Sequence, residues 1–245
     1  MKLEFLNLQL NRISMKQLLQ EIVEKAKKKE SAYLCAVNVH MTVEAQTDQE
    51  LLKSITKATW AVTDGTPVAW AFSRLHKIRQ ERVAGMDITP QLLHLAESNH
   101  LIVSVYGNTK EVLKDFENYL REHFPNIRIG ACISPPFREL SVNEQKSYID
   151  KLASVGTNIL FVSLGCPKQE KWMYRHSQGI NAVSLGIGNA INTTIGKEKR
   201  PPKFIQKIGM EWLMRLFQDP KRLFKRYLIT NTKFCLLLLK LLLNR

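Results

Sequence analysis

The 245 residues carry 36 Lys+Arg against 22 Asp+Glu, a formal charge of +14, with 44% hydrophobic and 24% charged residues. That balance is globular, is long enough for a sizeable core, and excludes a disordered, collagen-like or low-complexity chain. The charge is lopsided: residues 197–245 hold 13 Lys/Arg and three acids, so +10 of the total lies in the last fifth, which calls for an anionic partner such as nucleic acid, phospholipid or a phosphorylated substrate.

In chain order, Ser14-Met15-Lys16-Gln17 has capping-box spacing and precedes a helical stripe of Leu18, Leu19, Ile22, Val23 and Ala26. Residues 31–37 read as a buried strand, followed by helix to about Ile55. Residues 60–63 read as a short strand ending in Asp64-Gly65, and 66–78 as helix. A helix over 87–98 precedes an apolar run at 101–106, closed by Gly107-Asn108. Residues 109–124 are amphipathic and 127–133 strand-like; Ser141-Val142-Asn143-Glu144 caps a helix to about Val155. Strand 158–164, helix 167–177 with Pro167 at its first position, and strand 181–186 complete the pattern.

Strands alternate with helices, and several strands are continuous apolar runs. That predicts a mostly parallel sheet covered by helices on both faces. Ligands in such sheets bind beyond the carboxyl ends of the strands. Asn38, Asp64-Gly65, Gly107-Asn108, Gly165-Cys166 and residues 186–189 are therefore expected on one rim. Beyond Gly196 the strands stop, placing a boundary between an α/β body, 1–196, and a basic helical appendage, 197–245.

Several motifs bear chemistry. Gly186-Ile187-Gly188 after a strand suits a phosphate-binding turn, although the six-residue dinucleotide fingerprint is incomplete. Asp64 follows an apolar strand and precedes glycine, where a carboxylate faces a ligand or merely caps the next helix. Gly165-Cys166-Pro167-Lys168-Gln169-Glu170 joins strand to helix; its helix-end N–H groups suit an anion, and Gln169 and Glu170 suit polar ligand edges or a solvated first turn. Phe204, Ile205, Ile208, Trp212, Leu213 and Leu216 make one apolar helical face, and Asp219-Pro220 opens a new helix on which Arg222 and Arg226 share a side. The six histidines lack metal-ligand spacing and no Asp-x-Asp occurs, so no metal or other cofactor is expected. Four cysteines without a Cys-x-x-Cys pair, and an N-terminus lacking an apolar leader, are expectations of a cytoplasmic chain. The longest apolar run, 234–243, is broken by Lys240 and is too short to span a bilayer.

Together, Asp64-Gly65-Thr66-Pro67-Val68, Arg82-Val83-Ala84-Gly85-Met86-Asp87, Gly165-Cys166-Pro167-Lys168-Gln169-Glu170, Lys199-Arg200-Pro201-Pro202, Glu211-Trp212-x-x-Arg215-Leu216 and Asp219-Pro220-Lys221-Arg222-x-x-x-Arg226-Tyr227 resemble the WecG/TagA/CpsF glycosyltransferases, glycosyltransferase family 26, from about Asn38 to Tyr227. The resemblance implies a Rossmann-like body with a membrane-targeting C-terminal appendage. It implies an inverting, metal-independent transfer from a UDP-sugar to a polyprenyl-diphosphate-linked sugar at the cytoplasmic membrane face. Family members add N-acetylmannosamine in teichoic-acid linkage units, its uronate in enterobacterial common antigen, or glucose in exopolysaccharides. Carried onto this chain, the base is Asp64, the strand-end asparagine Asn38, the Arg-Val-x-Gly arginine Arg82 and the motif glutamine Gln169. The appendage arginines are Arg215 and Arg222, with Arg226 or Lys225 near the third. Two positions depart: Ala36 precedes Val37-Asn38 where a threonine is usual, and Asn192 stands where an acid is usual near the nucleotide.

The expected mechanism has Asp64 deprotonate the acceptor hydroxyl, while Arg82 and the appendage arginines meet the leaving diphosphate. The remaining tail lysines and leucines are expected on an anionic membrane surface, and self-association burying the tail's apolar surface would give a homo-oligomer. Two other classes compete: a nucleic-acid-binding module, disfavoured by the leucine-rich tail, and a non-catalytic UDP-sugar-binding or scaffold protein.

Overall fold

The computed structural model describes residues 1–202, 204–205, 209–218 and 220–243; for Arg215, Gln218, Arg222 and Leu242 it describes the backbone alone. The chain opens with an antiparallel hairpin, β1 (Lys2–Phe5) and β2 (Leu8–Asn11). Then follow α1 (Met15–Lys27), β3 (Ala32–Val37), α2 (Val39–Glu44), α3 (Gln49–Lys57), β4 (Trp60–Thr63), α4 (Thr66–His76) and α5 (Gly85–Ser98). The second half comprises β5 (Ile102–Gly107), α6 (Lys110–His123), β6 (Arg128–Ile133), α7 (Val142–Ser154), β7 (Ile159–Ser163), α8 (Lys168–His176), β8 (Val183–Gly186) and α9 (Ala190–Thr194). The tail carries α10 (Glu211–Gln218) and α11 (Pro220–Leu243) among the described residues.

The six main strands form one all-parallel sheet in the order β4-β3-β8-β7-β5-β6. Its continuous apolar strands serve two cores at once. Along β3, Leu34 and Ala36 enter the core under α1 and α5, while Tyr33, Cys35 and Val37 enter the opposite core with Met41, Leu51 and Phe72. The Rossmann-like, helix-covered sheet expected from the sequence is thus present.

Local chemistry sets the boundaries. Ser141 caps α7 with its side chain while Glu144 reaches back to the Ser141 N–H, the reciprocal box its spacing predicts. Ser14 caps α1, but the Gln17 side chain bonds Glu21 instead. The helix expected up to Ile55 is two helices, because Asp48 accepts from the Leu51 N–H and starts α3 anew. Pro167 occupies the cap position of α8 rather than its first turn. The single apolar face expected from Phe204 to Leu216 is interrupted at Gly209, which takes a φ of 78° against Thr66; Ile208, and the expected cap Asp219, lie outside the described residues.

The hairpin is absent from the sequence reading. Leu6 and Asn7 both take positive φ, 47° and 65°, giving a tight two-residue turn. It places Phe5, Leu8 and Leu10 in the core, and the Asn11 Oδ1 accepts from the Ala61 N–H at 2.8 Å, covering the sheet edge at β4.

The tail packs onto the body. α11 lies along α2, and buried Phe234 sets its ring 6.5 Å from Phe5. Its outer side exposes Phe224, Leu228, Leu236, Leu239 and Leu243 among Lys221, Lys225, Lys233 and Lys240. Among the described residues, no helix is long and apolar enough to cross a membrane.

Candidate active site

A cavity of about 620 Å³ opens beyond the carboxyl ends of β4, β3, β8 and β7. It gathers Asn38, Asp64, Gln169, Gly186, Gly188 and Arg226 on one wall system. A second cavity, about 340 Å³, runs beneath α11 and is lined by Pro67, Trp212, Tyr227 and Phe234. Asn38, His40, Asp64, Arg226 and Tyr227 line both. Asp64 therefore stands where a polar chamber meets a more apolar one.

Each side chain is placed by a simple device. Asn38 ends β3 and caps α2, accepting from the Met41 N–H at 3.1 Å. Asp64 follows β4, with its N–H donating to the Val37 carbonyl at 2.8 Å, and Gly65 at a φ of 86° turns the chain into α4. Val83 N–H donates to the Thr63 carbonyl at 2.8 Å. That contact brings Ala84, Gly85 and Met86 alongside the strand end as cavity lining.

Gln169 bridges two walls. Its Oε1 accepts from the Gly188 N–H at 3.1 Å, and its Nε2 donates to Glu170 Oε1 at 2.8 Å. Gly186 is required here: a Cβ would lie 2.9 Å from Gln169 Nε2 and from the Met173 methyl. Glu170 itself is fully buried beneath Gln169 and lines none of the cavities described here, so the expected contact with a ligand edge is replaced by one with Gln169. Burial pushes its carboxyl up to about 7, against hydrogen bonds from Gln169, its own N–H and the Cys166 thiol.

The remaining rim residues take other roles. Gly107, at a φ of 115°, approaches β7 so closely that a Cβ would sit 2.4 Å from the Ser163 carbonyl oxygen. Asn108 then donates its N–H to that carbonyl at 3.0 Å, and its side chain lines a neighbouring cavity of about 800 Å³ with Phe137, Lys168 and Trp172. The two cavities share Gly165, Gly188, Asn189 and Glu198. Asn192 sits on α9 behind the wall and donates to Asn189 Oδ1. Arg82 lines none of these cavities; it pairs with Asp87 at 2.6 Å and with Glu211 of α10, while Arg200 holds the other oxygen of Asp87 at 2.6 Å. This ionic cluster ties the body to the tail. The side chains of Arg215 and Arg222 lie outside the described residues.

His40 was not singled out by sequence, because its signal lay in metal spacing it does not have. It lines both cavities, and its Nδ1 is buried without a hydrogen-bond partner, 3.9 Å from Glu44. Burial, and then Arg226, hold it below the usual histidine range, partly offset by Glu44, so it faces the site as a neutral ring. Lys197 and Lys199 add cationic lining from the appendage. Among the described residues, no cluster of three His, Cys, Asp or Glu side chains is placed to hold a metal ion.

A parallel α/β sheet that brings a carboxylate, amides, an imidazole and cations to its strand ends has the rim at which α/β enzymes bind their ligands. Comparison with known proteins makes the class specific: the chain matches the Glycosyl transferase WecG/TagA/CpsF family over residues 3–245, and it belongs to that family. It is a glycosyltransferase of the hexosyl-transferring kind. Among its relatives are the N-acetylglucosaminyldiphosphoundecaprenol N-acetyl-beta-D-mannosaminyltransferases of Staphylococcus aureus strains MW2 and MRSA252. Each is 29% identical over 192 residues, 78% of this chain and 74% of the relative.

Proposed function

We propose that the protein transfers a sugar from a UDP-sugar to a polyprenyl-diphosphate-linked sugar, by one inverting displacement without a metal ion, at the inner face of the cell membrane. The observation that carries this reading is the pair of cavities meeting at Asp64. The donor occupies the larger, with its diphosphate near Gly186, Gly188, Gln169 and Arg226. The acceptor sugar enters through the smaller, where Tyr227, Trp212 and Phe234 suit a lipid-linked ligand. The S. aureus relatives' names favour N-acetylmannosamine as the sugar and N-acetylglucosamine on the acceptor, and thus a step in teichoic-acid linkage synthesis.

Asp64 takes the proton of the acceptor hydroxyl as that oxygen attacks the anomeric carbon opposite the leaving UDP. Charge then builds on the diphosphate. Arg226, Lys197 and Lys199 line the chamber where it develops, and preorganised cations there lower the barrier. Lys197, Lys199, Leu223, Arg226 and Tyr227 of the appendage complete the chamber, with the exposed apolar and basic side chains of α11 on the lipid surface. Seating the appendage excludes water from the reacting centre.

The test is a donor screen with a polyprenyl-diphosphate N-acetylglucosamine acceptor, reading UDP release for N-acetylmannosamine, its uronate and glucose donors. Release with one donor, undiminished by chelator, is expected. UDP binding without release from any donor would favour a non-catalytic binding protein and refute the transferase reading.

A further inference from the structure

Glu170 lines none of the three cavities, yet it is a carboxyl with zero exposure, and among the described residues no cation acts on it. Burying such a group is costly, and packing alone would be served by a methionine or leucine. Its Oε2 is buried without an oxygen or nitrogen partner. Its Oε1 accepts from Gln169 Nε2, whose amide carries the contact on to the Gly188 N–H.

Resting on the reading of a UDP-sugar donor, we propose that Glu170 is a positioning residue for the donor diphosphate: through Gln169 it sets whether the Gly188 N–H is free to bind an anion.

An ionised carboxylate only accepts hydrogen bonds. Gln169 must then turn its NH₂ toward Glu170 and its oxygen toward Gly188, as observed. That occupies the turn's donor and presents an acceptor oxygen where a diphosphate oxygen would sit. A protonated Glu170 reverses this. Its O–H donates to Gln169 Oε1, and the amide turns about its terminal torsion, a rotation that needs no extra room because oxygen and NH₂ are nearly isosteric. The NH₂ and the Gly188 N–H then both face the anion. No covalent bond changes; one proton moves onto the Glu170 carboxyl from solvent. Anion binding and proton uptake therefore reinforce each other through linkage.

The titratable groups facing Glu170 are the Cys166 thiol from the preceding loop and the Cys35 thiol from β3. Arg226 of α11 and Glu44 of α2 act on Cys166 in turn. Both thiols are pushed up by burial and stay neutral, which leaves Glu170 as the group of this cluster that titrates near neutrality.

The experiment compares UDP affinity of the full-length wild type and Glu170→Gln by calorimetry from pH 6 to pH 8.5, in two buffers of different ionisation enthalpy. The amide introduced by this substitution donates its NH₂ to Gln169 as the protonated acid does. Wild-type affinity is expected to fall through pH 7 more steeply than the variant's, by up to about tenfold per unit, with up to one proton taken up. E170Q is expected to keep the low-pH affinity and lose that excess slope and uptake; UDP's own titration is common to both. A side-chain amide resonance of Gln169 that titrates near pH 7 in ligand-free wild type is the companion readout, and it does not depend on the variant folding. Parallel pH profiles, or a flat Gln169 resonance, would overturn the proposal while UDP binding stands. No UDP binding at any pH would overturn the donor reading and this proposal with it.

Discussion

Phe234 anchors the tail. Its side chain is 4% exposed, and its ring lies 6.5 Å from Phe5, which in turn meets Phe72 at 6.1 Å. Phe234→Ala removes this ring from the seam between α11 and the body. Buried Phe→Ala changes cost ~3–5 kcal/mol; the low end applies, since the seam can partly close over the gap. About 3 kcal/mol corresponds to a roughly 150-fold shift toward the undocked tail. Trypsin reads this shift, because Lys221, Lys225, Arg226 and Lys233 lie on α11 and are cut only when the helix opens. Where closing outruns cleavage, the rate follows the opening equilibrium. Tail cleavage of F234A is expected to rise by about two orders of magnitude, while the melting temperature of the body holds. Cleavage within threefold of wild type would refute the docking argument.

Gly107→Ala places a Cβ 2.4 Å from the Ser163 carbonyl at a φ of 115°. A loss of ~1–3 kcal/mol is expected from backbone strain, or several degrees in melting temperature by calorimetry. Glu144 is held at about 2 by Arg138 and Ser141, below its ordinary 4.5. Its contribution to folding is therefore complete above pH 4.5 and lost as pH falls toward 2. A carboxyl-carbon titration of Glu144 is expected to show a midpoint near 2, and a midpoint above 4 would contradict the capping geometry. Reversing Lys221, Lys225 and Lys233 to Glu removes three exposed cations from α11. Each contributes ~1 kcal/mol at an anionic surface, so sedimentation with phosphatidylglycerol vesicles is expected to drop by more than two orders of magnitude in partition coefficient.

The sheet is readable from sequence because its strands are continuous apolar runs, which only a two-faced burial explains. Asn38, Asp64, Gly165, Gly186 and Gly188 follow from it, since a parallel sheet presents its strand ends together. The hairpin escapes notice because its turn puts Leu6 where glycine or asparagine is favoured, leaving Asn7 alone rather than an Asn-Gly or Asp-Gly pair to announce it. The start of α5 at Gly85 is hidden for a related reason: glycine reads as loop, yet here its backbone lies against Ile187, a Cβ falling 3.4 Å from the Ile187 carbonyl oxygen. Contacts between distant segments are the least legible. Arg82 and Glu211 stand 129 positions apart, and only the fold shows that they pair. Glu170 reads as a first-turn polar residue, and its burial follows from packing of α8 against the sheet. His40 carries no pattern of its own; its position between two cavities is a product of β3 ending at Val37 and α2 turning inward from Asn38.

In the proposed mechanism, Asp64 is the base between donor and acceptor. Single-turnover transfer by Asp64→Asn, with UDP affinity measured alongside, tests it most directly. A rate at least ~10²-fold below wild type is expected, with UDP affinity within about threefold of wild type because the proposed diphosphate contacts are Gly186, Gly188, Gln169 and Arg226 rather than Asp64. A near-normal transfer rate in D64N would contradict it.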